Sequence, residues 1–271
     1  MGLRVNTNLF SLTAQRNLNN VTARLQGNFS RLSSGLRIAN AADDAAGLGI
    51  SERMRSQIRS FGAASRNAQD GISLVQTAES ALSETGSNLA RMRELAVQAS
   101  SGTLNTTDRT TINSEFTALA TEITRIADQT EFNGIALLNN TNSVAIQVGL
   151  DSGDTISLTN TSNTAASLSI SGLSTGTAGA AQTALLALDN AINSVNSSRG
   201  SLGASQNRLQ STFRSIQGAS ENLSAAESRI RDVDVAFETA DLTRNSILQQ
   251  ASVSILAQAN VQPQLALSLL G

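Results

Sequence analysis

Residues 202–237 read LGASQNRLQSTFRSIQGASENLSAAESRIRDVDVAF. Within them Leu202, Leu209, Ile216, Leu223, Ile230 and Phe237 recur every seven residues. Ala219, Ala226, Val233 and Ala240, each three residues further on, complete the pattern. A strict seven-residue apolar repeat is the signature of a coiled-coil seam, and alanine on the second line of the seam lets helices approach closely. The stripe suits a seam within one chain, and it also suits contact between subunits along the same line.

The same period extends in both directions. Leu18, Val21, Leu25, Phe29, Leu32 and Leu36 share one face of a helix near the N-terminus. That pattern breaks at Asn40 and the small residues after it. It resumes in a stretch from about 44 to 100, where Val75, Leu82, Leu89 and Ala96 stand seven apart. At 1.5 Å per residue such a helix is roughly 85 Å long, more than a compact domain uses. A third helix is expected behind Asp108 as its cap, with Phe116, Leu119, Ile123 and Ile126 on one face, ending before the turn dipeptide Asn133-Gly134.

The middle of the chain has another character. From Thr155 through Leu188 no residue is charged. Ser143–Val148 and Thr155–Leu158 alternate apolar with polar around Asp151-Ser-Gly-Asp154, which predicts a β-hairpin. The rest, to about 180, reads as loop with a further short strand at Leu168 and Ile170. The expected fold is therefore mainly α, an elongated antiparallel helical bundle or coiled coil with a small β-hairpin region in the middle.

The two ends complement each other. Residues 1–40 carry Arg4, Arg16, Arg24, Arg31 and Arg37 and no acid, whereas Asp232, Asp234, Glu238 and Asp241 lie near the other end. Pairing of the ends is expected, with both termini at one end of an elongated molecule and 140–188 at the other. Beyond Arg244 the remaining 27 residues carry no charge, and Ile247, Ala251 and Ile255 line a soft apolar face. An uncharged stripe of this kind gains little by folding alone, so burial between subunits is expected.

Composition removes most chemistry. The 271 residues include no Cys, His, Trp or Tyr, every one of the 19 basic residues is Arg, and all seven aromatics are Phe. Triads, zincin sites, Cys-ligated metals and lysine Schiff bases are excluded. Asp43 and Asp44 are adjacent carboxylates with no further ligand nearby, which suits a helix cap or an Arg partner better than a metal. No enzyme activity, cofactor or metal is expected. A net charge of −2 with no aromatic platform beside the arginines speaks against nucleic acid. No run is long and apolar enough to span a membrane, and no cleavable signal is visible.

Ordered motifs then accumulate: Val5-Asn-Thr-Asn8, Leu32-Ser-Ser-Gly-Leu-Arg-Ile-Ala-Asn40, Asn67-Ala-Gln-Asp-Gly-Ile-Ser73, Arg91-Met-Arg-Glu-Leu-Ala-Val-Gln98, Thr130-Glu-Phe-Asn-Gly134, Arg199-Gly-Ser-Leu-Gly-Ala204, Ser228-Arg-Ile-Arg-Asp232 and Pro263-Gln-Leu-Ala-Leu-Ser-Leu-Leu270. In these motifs the chain resembles bacterial flagellin over all but about 150–188. The resemblance implies inner-core terminal helices over 1–44 plus 235–271, a helical rod over 45–140 plus 185–234, and a short hairpin and loop region over 141–184, in a short form without large variable outer domains. It implies a homo-polymer, the extracellular flagellar filament, with Leu18, Val21, Leu25, Leu32, Leu36, Ile247, Ala251 and Ile255 packing in the inner core or polymer. A hook–filament junction protein of the same family is the alternative.

The resemblance further implies type III export without a cleaved signal, an export chaperone on the C-terminal helix, and filament cap and junction proteins as partners. It also implies contact with the host flagellin-sensing Toll-like receptor through Arg91, Glu94, Leu95, Gln98 and Glu115. Read only as residues, Arg91 and Glu94 form an i,i+3 ion pair on a solvated helix face.

Overall fold

A computed structural model describes residues 7–268, with side chains as far as Val261; positions 1–6 and 269–271, at the two ends of the expected inner-core segments, lie outside the described residues. The elements run α1 (Leu9–Ser34), α2 (Ala45–Ser100), α3 (Thr106–Gln129), β1 (Glu131–Phe132), β2 (Ile135–Ala136), β3 (Ser143–Gln147), β4 (Thr155–Thr159), α4 (Ala178–Arg231) and α5 (Val235–Ser268). The mainly helical fold with a small hairpin region is what the periodicity predicts. By contacts the chain divides into two compact units, Met1–Ser56 with Asn222–Gly271, and Gln57–Glu221.

In the second unit the seven-residue repeat decides the core. Along α2 one buried line runs through Ala64, Ala68, Gly71, Val75, Ala78, Leu82, Thr85, Leu89, Met92, Ala96 and Ala99, alternately four and three apart, with Ile72, Leu74 and Leu95 buried beside it. Along α4 they are Ala181, Ala184, Leu188, Ala191, Val195, Ser198 and Leu202, with Leu209 and Ile216 continuing the line. These residues, with Ile112, Phe116, Ile123 and Ala127 of α3, form one hydrophobic cluster. Eight of the twenty positions on the α2 and α4 lines hold alanine, so the helices gain much of their contact through close approach. Gly71 is the extreme case, because a Cβ there clashes with the end of the Ile146 side chain and crowds Leu209.

Helix ends follow local chemistry. Asp44 Oδ1 accepts from the backbone N–H groups of Ala46 and Gly47 and starts α2. Asp43 turns the other way, accepting from Ala39 and Asn40, so the two carboxylates diverge onto separate backbone segments. The cap of α3 is Asn105, not Asp108: the Asn105 side chain accepts from the Asp108 N–H at 2.8 Å. Arg109 closes the α2–α3 corner by donating to the carbonyls of Ala99 and Ser101. On the outer side of α3 the hydroxyls of Thr110, Ser114 and Thr121 donate to carbonyls four residues back in their own helix.

The middle region contains more structure than its composition suggests. β3 and β4 pair antiparallel with Ile146 opposite Ile156. Ile146, Val148, Ile156 and Leu158 all enter the common core, so the expected 141–184 segment does not stand apart. Asn133 and Gly134 both take positive φ, 51° and 75°, and make a tight turn joining β1 to β2, a second hairpin beyond the turn read from sequence. Leu168 and Ile170 are buried but are not in a strand. They sit on a single helical turn, closed when the Ile170 N–H bonds to Ala165 O at 2.9 Å and Ser169 takes φ 57°. α4 starts at Ala178 rather than near 185, capped by Thr177, because the uncharged Ala-rich run is a good helix former.

The heptad from Leu202 to Phe237 is not one continuous seam. Leu202, Leu209 and Ile216 are buried, Leu223 and Ile230 are half-buried, and Phe237 is 65% exposed. Asp232–Asp234 interrupt the helix, so Phe237 belongs to α5. At this break the chain pairs with the α1–α2 connection. Arg37 N–H donates to Arg231 O at 2.7 Å, and Val233 N–H donates to Gly35 O at 3.0 Å. The α1–α2 and α4–α5 breaks lie near the 44 and 235 boundaries read from sequence. The compact units divide further along α2 and α4. The early turns of α2 and the last turns of α4 join the terminal unit, held by Arg231–Glu52 at 2.8 Å and Arg55–Glu227 at 4.0 Å.

Identical sequence signals therefore carry unequal stability. Leu209→Ala is expected to destabilise the unit spanning Gln57–Glu221 by about 3 kcal/mol through loss of packing and the cavity left behind. Phe237→Ala, at an exposed position of the same repeat, is expected to cost less than about 1 kcal/mol in the isolated chain. Urea unfolding followed by far-ultraviolet circular dichroism compares the two.

Candidate assembly surface on the terminal helices

α5 differs from the other helices in where its apolar side chains lie. They spread around the helix instead of collecting on one stripe, and the sequence is on average apolar. A helix apolar all round belongs in an interior. Among the described residues α5 packs against α1, antiparallel to it.

The seam between these two helices is mixed. α1 turns Ser11, Ala14, Leu18, Val21, Leu25, Asn28 and Leu32 inward. α5 answers with Glu238, Leu242, Asn245, Gln249, Ser252, Leu256 and Ala259. Asn28, Glu238 and Asn245 are 2%, 6% and 8% exposed. Asn28 Nδ2 donates to Glu238 Oε1 at 2.6 Å, and Asn245 Nδ2 donates to Asn28 Oδ1 at 2.9 Å. Arg31 donates to the same Glu238 oxygen through Nε at 2.8 Å and Nη2 at 2.7 Å. At the far end Asn8 Nδ2 donates to Ala259 O at 2.8 Å, and Ser11 Oγ donates to Asn260 Oδ1 at 2.7 Å.

The expected charge complement of the two ends contracts to this one buried carboxylate. Of the four acids read as its source, only Glu238 meets an arginine of α1. Asp234 caps α5, and Asp241 pairs with Arg244 of its own helix at 2.7 Å. Arg37 reaches the other chain segment through a carbonyl instead, donating to Ile230 O.

The eight packing residues read from sequence divide between two environments. Leu18, Val21, Leu25 and Leu32 are half-buried on the α1 face that carries Asn28, and Leu36 sits at the joint paired with Asp232. Ile247 and Ile255 are each 61% exposed, and Ala251 between them is exposed too. Phe29 and Phe237, read from sequence as members of apolar stripes, are exposed, and sequence reasoning missed the rest of the open surface: Leu9, Phe10 and Leu12 on α1, and Val235, Leu248, Val253 and Val261 on α5. The signal for them lay in α5 itself, since a helix apolar all round leaves large residues outside whichever face it buries. Apolar exposure on this scale marks an interaction surface, each large side chain gaining about 1.5–3 kcal/mol on full burial.

The second candidate group lies in the other unit. Arg91 Nε donates to Glu115 Oε1 at 2.9 Å and Nη1 to Glu94 Oε2 at 3.0 Å, an exposed network joining α2 and α3 with Gln98 exposed beside it. Glu115 foremost, and Glu94 after it, raise the Arg91 pKa. Leu95 does not share that surface; it is 2% exposed and part of the core. A parallel link joins α2 to α4, where Arg93 Nε meets Asp189 at 2.7 Å and raises the Arg93 pKa. Among the described residues no group of three or more His, Cys, Asp or Glu side chains gathers to hold a metal ion, and no helix is long and apolar enough to cross a membrane.

Comparison with known proteins gives a consistent result. Residues 5–143 match the bacterial flagellin N-terminal helical region, and residues 185–270 match the bacterial flagellin C-terminal helical region. A flagellin of Halalkalibacterium halodurans is 50% identical over 269 residues, covering 98% of this chain and 99% of that protein. A flagellar filament 33 kDa core protein of Treponema phagedenis is 44% identical, covering 98% of this chain and 99% of that one. Among solved structures, Bacillus cereus flagellin aligns with a TM-score of 0.52 at 35% identity, over 60% of this chain and 94% of that one.

The joint beside the terminal helices is expected to be acid-sensitive. The hydrogen bond from Arg231, with Arg55 adding to it, holds Glu52 below the usual glutamate range. The backbone N–H groups of Asn40 and then Ala39 lower Asp43 likewise. A depressed carboxylate contributes stability that is present above its unfolded pKa and lost as pH falls through the folded value. Glu52→Gln should therefore flatten the fall in melting temperature between about pH 5 and pH 3, while lowering it slightly at neutral pH. Thermal melts across that range test it; an unchanged acid limb would remove Glu52 from the account.

Proposed function

The chain belongs to the bacterial flagellin family, and from that premise we propose that its mechanism is assembly through the open apolar surface of α1 and α5. It is a structural subunit of the flagellar filament, a family of proteins that lies outside the cell. Function resides in burial rather than chemistry: the subunit is complete only when copies of itself cover what one copy leaves exposed. The observation that carries this reading is α5, apolar around its circumference yet paired on one side only. Flagellins and a filament core protein as full-length relatives support the filament subunit over the hook–filament junction protein.

We assign 1–44 and 235–271 to the inner core and 45–140 with 185–234 to the rod. Terminal segments that pass outward unfolded and fold on docking fit this design, since folding and binding are then one event. Type III export without a cleaved signal, and a chaperone covering the C-terminal helix before export, fit the same need. A helix that carries exposed apolar side chains and no charge beyond Arg244 requires cover until it docks. Filament cap and junction proteins are the remaining partners of this reading.

For the host receptor, the exposed Arg91–Glu94–Glu115 network with Gln98 is the part available for direct contact. Leu95 supports that surface from beneath, so its truncation tests packing as well as binding. Arg91→Glu with Glu115→Arg, which exchanges the pair across the helices, should keep the fold and lower receptor affinity by about tenfold or more. Binding at the parental affinity would remove the receptor from the partners.

The assembly reading is tested by electron microscopy of purified protein under salting-out conditions, where long tubes are expected. Ile247→Asp with Ile255→Asp should abolish them while circular dichroism still shows a folded rod. Deletion of 245–271 should do the same. Tubes of normal length from the double Asp variant would overturn the assignment of this surface.

A further inference from the structure

The α1–α5 pair presents a contradiction that hydrophobic burial alone does not resolve. α5 buries Glu238 and Asn245 while Ile247, Leu248 and Ile255 stand outside. Turning the helix by about a quarter turn, less than one residue's step of 100°, would bring Leu248 and Ile255 toward α1 and expose the polar residues. Leu242 and Leu256 would leave the seam in exchange, so apolar area alone does not select between the two settings. Another interaction must decide it.

We propose that the polar set of buried Asn28, Glu238 and Asn245 with the partly exposed Arg31 fixes the register and rotational setting of α5 against α1, and thereby holds Ile247, Leu248 and Ile255 outward. The geometry is specific. One side chain on α1, Asn28, uses its amide nitrogen on Glu238 at 2.6 Å and its carbonyl oxygen on Asn245 at 2.9 Å. Those two partners stand one heptad apart on α5, so Asn28 is bracketed along the helix axis. A slip of α5 by one turn or one heptad breaks both bonds. A rotation that buries Leu248 also withdraws Glu238 from the two Arg31 contacts.

Every member is satisfied in the observed setting, and a buried polar group without its partner is costly in any other. A single buried asparagine is known to select register in coiled coils at some expense of stability. Here the set selects the register in which the adhesive face remains free. The contacts at the far end, Asn8 to Ala259 and Ser11 to Asn260, hold only in that same register.

The inference rests on the assembly reading for its consequence, but not for its geometry, and the two separate in experiment. The chain has no cysteine, so Ser11→Cys with Asn260→Cys gives a clean disulfide reporter of register. In this background Asn28→Leu, Glu238→Leu and Asn245→Leu are combined. Cross-linking yield under salting-out conditions is expected to fall about tenfold, and filament elongation by a similar factor, with helical content unchanged. Unchanged cross-linking would overturn the register assignment. Lost cross-linking with normal elongation would overturn the link to assembly.

A charge exchange guards against simple misfolding. Asn28→Asp alone sets a second carboxylate against Glu238 and should lose both readouts. Adding Glu238→Gln restores one carboxylate and one amide and should recover most of both; failure of this rescue would equally sink the proposal. If the reporter protein itself never elongates, the assembly reading falls, while its cross-linking still decides the register.

Discussion

Close approach of long helices along a seven-residue repeat is the constraint on which the larger unit depends. Alanine occupies Ala64, Ala68, Ala78, Ala96 and Ala99 on α2 and Ala181, Ala184 and Ala191 on α4. These positions leave little room for large side chains between backbones. Bulk alternates with them at Leu82, Leu89, Met92, Leu188, Leu202 and Leu209, and Phe116 and Ile123 of α3 and Ile146 and Leu158 of the hairpin complete the core. Gly71 marks where that economy reaches its limit. The near absence of aromatics follows from the same geometry, because a narrow seam has no place for large rings.

The terminal pair obeys the opposite rule. Its seam is mixed, and its apolar residues are displayed. In a self-sufficient domain this would be a defect, since Phe10, Phe29 and Phe237 lose nothing by burial and gain nothing from water. On the assembly reading proposed above, it is the source of cohesion. One chain thus holds a unit that closes on itself and a unit that does not, and the same period of seven is written through both.

That shared period explains what was legible in the sequence and what was not. The helices, the β3–β4 hairpin and the buried faces of α2 and α3 follow from spacing. Burial at Leu209 against exposure at Phe237 does not, because the repeat records which residues share a stripe and not what covers it. The turn at Leu168 and Ile170 was hidden by low-propensity residues, and its order comes from local backbone bonds together with burial of the two side chains in the core. Leu95 looked like part of a surface motif because its neighbours Arg91, Glu94 and Gln98 are exposed. On a helix, one residue's step of 100° is enough to move it into the core. Asn28 stood unremarked within an apolar stripe, and only its partners seven residues apart on another helix reveal its role.

The hydroxyls along α3 bear on how selectively such a molecule adheres. Thr110, Ser114 and Thr121 each spend their proton on the helix that carries them. A face studded with threonine and serine would ordinarily offer many hydrogen bonds to any passing surface. Turned inward onto its own carbonyls, it keeps its donors to itself and offers acceptor oxygens only. The flank is in effect passivated, and attraction is left to the apolar helices at the chain ends.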